Sequence, residues 1–248
     1  MPADTLICSH PRSGGRWLRY LIAHYLAARH RLGIEVTPET VFTVVPDHHP
    51  EGARGYPAFA FTDRRSLPLV AVCHQTYSWE QHRGYPLVFL ARNAYDVVVS
   101  AYFHLAAEKA EYCGTMRSFM GHPRLGLPGW IRYMNAWAPK LLTHRDVALL
   151  SYGTLNSDPA LALGRVLDFL GEDPDPALVH AAVAAANELR SGRGIRTGQE
   201  GNFWDHLQPE EIFDLQEIVR RDLSETAVQL LESAGVEIDP FPRDDDED

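Results

Sequence analysis

The segment His10-Pro11-Arg12-Ser13-Gly14-Gly15-Arg16-Trp17 lies between a short apolar run and a helical pattern. A turn from strand to helix leaves free amides at the positive end of the helix. Gly14 and Gly15 let that backbone wrap an anion, Ser13 adds a hydroxyl, and Arg12 and Arg16 add charge that no ordinary pH removes. The chemistry implied is phosphate binding, without the Gly-x-x-x-x-Gly-Lys-Ser/Thr spacing of an ATP-binding loop. A tight turn carrying surface arginines is the other reading of these residues.

A second pair, Arg92 and Ser100, follows another apolar run, with the serine eight residues on across the start of a helix. An arginine fork and a hydroxyl so placed can converge on one phosphate. They can equally cap a strand and bond within a helix. For proton transfer near neutral pH a histidine is the natural group. Of the twelve histidines, His74 stands out because it ends an apolar run; His10, His48, His49 and His206 are further candidates. Neither an HExxH pattern nor a paired CxxC is present, so no metal site is expected.

These groups need a scaffold. Four nearly continuous apolar runs, Thr5–Ser9, Leu69–His74, Leu87–Ala91 and Val147–Ser151, read as strands buried on both faces. Helical patterns separate them. Leu18, Leu21, Ile22 and Tyr25 share one face, and Leu163, Val166, Leu167 and Leu170 share another after the cap Asp158-Pro159, with Gly171 as its stop. Asp175-Pro176 opens a further helix, and a single long amphipathic helix is expected from Glu210 to Ala234. Strands alternating with helices predict an α/β fold, a single domain with a central parallel β-sheet flanked by helices. In such sheets ligands sit beyond the carboxyl ends of the strands, where the loops above fall. The stretches 43–68, 113–128 and 190–207 read as irregular, and loops of that length over a compact domain are often functional.

The chain has 248 residues, 45% of them hydrophobic, and a formal net charge of −10. One domain over residues 1–242 with an acidic tail at 243–248 fits that length. The charge excludes an extended basic surface for nucleic acid but not a locally focused anion site. Cys8, Cys73 and Cys113 form no disulfide framework. Without a leader-like start or an apolar stretch approaching 18 residues, the expectation is a soluble, cytoplasmic protein with no membrane contact, acting alone or as a homodimer.

Pro-Arg-Ser-Gly-Gly-Arg-Trp resembles the phosphosulfate loop of the sulfotransferases that use 3′-phosphoadenosine-5′-phosphosulfate (PAPS), usually Pro-Lys-Ser-Gly-Thr-Thr-Trp. Arg92-Asn93-Ala94-Tyr95-Asp96 through Ser100-Ala101-Tyr102 is similar to the family's Arg-Asn-Pro-x-Asp-x-x-x-Ser-x-Tyr, whose Arg and Ser hold the 3′-phosphate. Leu149-Leu150-Ser151-Tyr152 resembles the strand ending in a Tyr against the adenine, with Gly153-Thr154 where Glu-Asp is usual. Arg196-Thr197-Gly198 through Phe203 resembles the late Arg-Lys-Gly loop that closes over the 3′-phosphate, and Val72-Cys73-His74 resembles Lys-Thr-His, whose His is the general base.

The resemblance implies a P-loop-like sulfotransferase fold, PAPS as donor with the bisphosphate PAP as product, and no metal. It also implies nucleotide contacts from Arg12, Ser13, Gly14, Gly15, Arg16, Trp17, Arg92, Ser100, Tyr152, Arg196, Thr197 and Gly198, with His74 and Arg12 as catalytic groups. Val45-Pro46-Asp47-His48 resembles a stretch near the acceptor pocket of bacterial natural-product sulfotransferases. This puts His10, His48, His49 and Tyr77 on the side of a small-molecule acceptor, for which a phenol or alcohol of a secondary metabolite is expected. The aromatics Phe42, Tyr56, Phe59, Phe61, Tyr77, Trp79, Tyr112, Phe119 and Trp130 are candidates for that pocket. Two readings stay open beside it: a P-loop kinase, which needs a Walker lysine not found here, and a nucleotide-binding module without chemistry, which the changes at Arg12, Val72 and Thr197 admit.

Overall fold

The computed structural model describes residues 3–48, 67–191 and 200–241, with the side chains of 190 and 191 left aside. Four parallel strands, β1 (Thr5–Ser9), β2 (Val70–Cys73), β3 (Leu87–Ala91) and β4 (Val147–Ser151), form one sheet in the order β2-β1-β3-β4. β1 pairs Cys8 with Cys73 on one side and Cys8 with Phe89 on the other. The carboxyl ends of β1, β2 and β3 therefore lie abreast, carrying Ser9, His74 and Arg92 to one edge. The chain leaves β1 toward β2 and then crosses back to β3, so β1 is the switch point where a crevice opens.

Alternation along the strands sends two apolar sets to opposite faces. Leu6, Cys8, Leu87 and Phe89 join one core with α4 (Ala94–Phe103), α5 (Met116–Met120), α6 (Leu127–Leu141), α10 (Pro209–Asp222) and α11 (Glu225–Ser233). Ile7, Val70, Val72 and Val88 join the other with α1 (Gly15–Arg29), α2 (Val41–Val44), α8 (Pro159–Phe169) and α9 (Pro176–Ser191). The short helices α3 (Trp79–His82) and α7 (Tyr152–Ser157) follow β2 and β4. This three-layer arrangement explains why the strands read as continuous apolar runs. No helix among the described residues is long and apolar enough to cross a membrane.

The capping signals act as expected. Asp158 accepts from the Leu161 amide with Pro159 at the first turn of α8, and Gly171 ends that helix at φ 75°. Three details differ from the sequence reading. The strand expected over Leu69–His74 covers only Val70–Cys73, which frees His74 from the ladder. The helix expected from Glu210 to Ala234 is two helices: Leu223 is extended at ψ 128°, and Ser224 caps α11 by accepting from the Ala227 amide. Leu223 is buried at the break, and both helices pack on α6. The region 113–128, expected to be irregular, contains α5, capped by Thr115.

Candidate active site

β1 ends at Ser9, and a turn closed by the Ser13 amide donating to the His10 carbonyl (3.2 Å) leads into α1. Within it Arg12 has φ 73°, a conformation that costs a non-glycine residue on the order of 1–2 kcal/mol, and Gly14 has φ 99°. A side chain at Gly14 would stand 2.7 Å from the Tyr152 ring. The turn holds its shape through the other loop: Arg92 Nη1 donates to the Arg12 carbonyl (3.1 Å), and Arg12 Nε donates to Ser100 Oγ (3.2 Å). Arg92 also lies over the Tyr152 ring, 3.9 Å from its centre, and 3.6 Å from Asp96. The two loops thus converge on one cavity of about 390 Å³.

Arg12, Gly14, Gly15, Arg16, Trp17, His74, Arg92, Ser100 and Tyr152 all line that cavity. Ser13 is buried beneath it with no hydrogen-bond partner for its hydroxyl, and the Arg92 Nε is buried and likewise unpartnered. A buried donor left unpaired costs about 1–3 kcal/mol, which an oxyanion among these groups relieves. Burial lowers the Arg12 pKa from its ordinary value, with the Glu108 charge opposing the shift. For Glu108 burial works upward, but the hydrogen bond with His104 and the charge of Arg12 hold it below its ordinary value. An acidic chain thereby concentrates three arginines on one concavity.

His74 presents its ring to the same cavity. Its Nδ1 lies 2.9 Å from the Ser9 carbonyl, which can only accept, so Nδ1 carries the proton and Nε2 carries the lone pair. Protein packed around the ring, together with the Arg19 charge, lowers its pKa below that of an ordinary histidine, while the Ser9 carbonyl opposes the shift. This is the protonation state a general base needs.

The remaining expected residues fall elsewhere. His10 is buried edge-on to Tyr133, donates to the Pro11 carbonyl (2.9 Å), and is pushed down to about 4 by burial. His48 and Tyr77 pack with His82 beside β2, away from the cavity lining. His49, Arg196, Thr197 and Gly198 lie outside the described residues, as do Tyr56, Phe59 and Phe61. Phe119 and Trp130 belong to the core, Phe42 lies under Arg19, and Trp79 is exposed.

Several cavity residues carried no sequence signal. The chain after α4 widens into a π-helical turn at His104–Glu108 that brings His104, Leu105 and Lys109 to the cavity, a distortion frequent at functional sites. Ala186 and Leu189 arrive from α9. Asp96 accepts from the Gly201 and Phe203 amides (3.0 and 3.1 Å), tying the late segment to the Arg92 helix. The carboxylate of Glu200 lies where a side chain at Gly153 would collide with it, so the glycine makes room for an acidic group from another segment.

A model of the sulfotransferase domain matches residues 2–227. The chain belongs to the sulfotransferase domain family. It is 27% identical over 268 residues to flavonol 3-sulfotransferase of Flaveria bidentis, covering 92% of this chain and 84% of that one. Among solved structures it is similar to mouse sulfotransferase SULT7A1 complexed with PAP, with a TM-score of 0.62 and 16% identity over 93% of this chain and 88% of that one. Retinol dehydratase in complex with androsterone and the inactive cofactor PAP gives a TM-score of 0.63 and 16% identity over 91% and 82% of the two chains. These neighbours share the P-loop-like sheet and flanking helices, and the kinase alternative falls away with the family assignment. This sulfotransferase differs from the family's usual loop at Arg12, Gly15 and Arg16; Gly15 is buried, Arg12 half-buried and Arg16 exposed.

Proposed function

We propose that this sulfotransferase moves a sulfuryl group from PAPS to a hydroxyl of a small-molecule acceptor, with His74 as general base. The observation that carries the reading is the convergence of two anion loops and one base-form histidine on a single cavity. Ser13, the Gly14-Gly15 turn, Arg12 and Arg16 would hold the phosphosulfate; Arg92 and Ser100 would hold the 3′-phosphate; Trp17 and Tyr152 would flank the adenine. Arg196, Thr197 and Gly198 extend the same proposal to the segment outside the described residues. The unpartnered Ser13 hydroxyl and Arg92 Nε fit an anionic ligand and suit no apolar one.

The donor supplies an activated sulfuryl group on a good leaving phosphate. The protein's residues do the rest. His74 Nε2 takes the acceptor proton as the new oxygen–sulfur bond forms. Arg12 stabilises charge on the departing oxygen in place of the usual lysine, and its carbonyl is held in line by Arg92. The acceptor side is lined by Leu105 and Leu125 beside His104 and Lys109. That mixture suits a flat or polycyclic phenol or alcohol, in keeping with the flavonol named for one relative and the androsterone held by one neighbour. We propose further that the acceptor is a bacterial secondary metabolite, on the sequence likeness at Pro46-Asp47-His48, and that the enzyme acts in the cytoplasm, alone or as a homodimer.

Calorimetric titration with adenosine 3′,5′-bisphosphate, against ATP and AMP, tests the reading. Selective binding of the bisphosphate is expected. Equal or tighter binding of ATP would overturn it.

A further inference from the structure

Gly15 is the first residue of α1, and its φ is outside the positive range that favours glycine. Its backbone conformation therefore suits any residue, and alanine would favour the helix by up to about 1 kcal/mol. Space is what forbids a side chain. A Cβ at position 15 would stand 2.7 Å from Ser9 Oγ and 3.1 Å from His74 Cε1, whereas Ser9 Cβ would be at an ordinary 3.8 Å. Ser9 Oγ in turn lies 3.3 Å from His74 Nδ1, and the Ser9 carbonyl takes the Nδ1 proton. The start of α1, the end of β1 and the residue after β2 thus interlock around one imidazole.

We propose that Gly15 is a positioning residue: its bare Cα lets the His74 ring rest against the anion loop, so the base is aimed from the donor side before any acceptor arrives. This rests on His74 being the base. It assigns a reason to the replacement of the family's threonine at this position. Gly14 is different in kind, because its φ of 99° and its contact with Tyr152 make it part of the loop's own shape. A side chain at 14 meets the Tyr152 ring; one at 15 meets the Ser9 hydroxyl and the His74 ring.

The test compares Gly15→Ala, Ser9→Ala, the double variant and His74→Ala in the full chain. Readouts are bisphosphate affinity, turnover of 4-nitrophenol with PAPS, and the long-range nitrogen–proton spectrum of the His74 imidazole, which needs no acceptor. Gly15→Ala should bind bisphosphate within about threefold of the parent, consistent with an anion loop whose backbone is unchanged. It should lose the Nδ1-protonated, Ser9-bonded imidazole signal, and kcat should fall by about 10- to 100-fold, as for a reacting group displaced by a fraction of an ångström to 1 Å. Ser9→Ala alone should cost a few-fold, since the carbonyl anchor stays. The double variant should recover about tenfold over Gly15→Ala, because the 2.7 Å contact is with the hydroxyl that alanine lacks.

An unchanged imidazole spectrum in Gly15→Ala would overturn the inference, as would additive losses in the double variant. Loss of bisphosphate affinity in Gly15→Ala would show the side chain disturbing the nucleotide cradle and would overturn the inference. Retained turnover in His74→Ala would instead overturn the base assignment on which the inference stands.

Discussion

Replacing Asp96 with asparagine tests how the late segment is fastened to the Arg92 loop. Asp96 is 1% exposed and both of its oxygens are engaged. Oδ2 accepts from Asn93 Nδ2 (2.9 Å) and the Gly201 amide (3.0 Å) and faces Arg92 Nη2 at 3.6 Å, while Oδ1 accepts from the Phe203 amide (3.1 Å). An asparagine has one oxygen, so whichever way it turns its NH2 group meets an N–H donor. Keeping the oxygen toward Gly201 and Arg92 is the cheaper choice, and it orphans the Phe203 amide at about 1–3 kcal/mol. The 4%-exposed Arg92 also loses its carboxylate, and removing one partner of a buried pair costs about 3–5 kcal/mol. These losses overlap, and the 3.6 Å separation puts the second at its lower end. A total of about 3–5 kcal/mol is expected, a large share of the roughly 5–15 kcal/mol that holds a typical domain together. Urea unfolding of Asp96→Asn should show that loss, and the melting temperature should drop by about 10 °C. Hydrogen exchange at Gly201 and Phe203 should accelerate selectively. A loss below about 1 kcal/mol, with both amides still protected, would refute the account of Asp96 as the fastener.

Arg92→Ala should weaken bisphosphate binding by about 10- to 100-fold, the worth of a charge-assisted hydrogen bond to phosphate, while calorimetry shows a much smaller change for AMP. His74→Ala should lower kcat by about 10²- to 10⁴-fold and leave bisphosphate affinity nearly intact. In the parent enzyme burial lowers the His74 pKa, so the acidic limb of kcat/KM should fall below the ordinary histidine value of about 6.5; a limb above it would contradict the site geometry. Acid stability should report His10, whose pKa is pushed from 6.5 to about 4 by burial. The unfolded chain then binds the proton first, so this contribution is complete above pH 6.5 and is lost as pH falls toward 4. The loss is on the order of 3 kcal/mol, and urea titrations of the parent and His10→Gln across that window should differ by it.

The strands, and the loops that follow β1 and β3, were legible because each is written in nearby residues. β1, β3 and β4 stand where their apolar runs predicted; β1 and β3 are buried on both faces as expected, whereas the edge strand β4 is half-buried over Val147–Leu149. Arg12, Gly14, Arg92, Ser100, His74 and Tyr152 meet in one cavity because the sheet order brings their strand ends abreast. Properties that depend on two distant segments were not legible. Ser224 lies inside an amphipathic pattern that continues across it, and the break is fastened from a distant segment, Asn135 of α6 accepting from the Ser224 amide and donating to the Asp222 carbonyl. His104, Leu105 and Lys109 depend on a π-helical turn, and Ala186 and Leu189 carry no chemical signature at all. His10 looked like a base from its place beside the loop, but its depth against Tyr133 makes it a packed ring.

The departures from the family's usual loop read as one adjustment when taken together. Arg12 holds a left-handed backbone at φ 73°, which is tolerable because Arg92 donates to its carbonyl. Its Nε, partway along the side chain, reaches Ser100 at 3.2 Å. A lysine has no donor at that point; only its terminal ammonium could make the contact, and then it would not be free to face the cavity. The arginine fork can bond Ser100 through Nε and still turn its terminal nitrogens toward an anion. That geometry links the loops after β1 and β3 to each other, without the hydroxyl donors that the usual loop carries at positions 15 and 16. Gly15 leaves Ser9 and the His74 ring the space that a side chain would take. In this sulfotransferase the loop after β1 carries an arginine bridge to Ser100 and a glycine against His74 where the usual loop has lysine and threonine. Arg12→Lys should therefore lower bisphosphate affinity and turnover together, since it cuts the bridge, whereas Gly15→Ala should lower turnover alone.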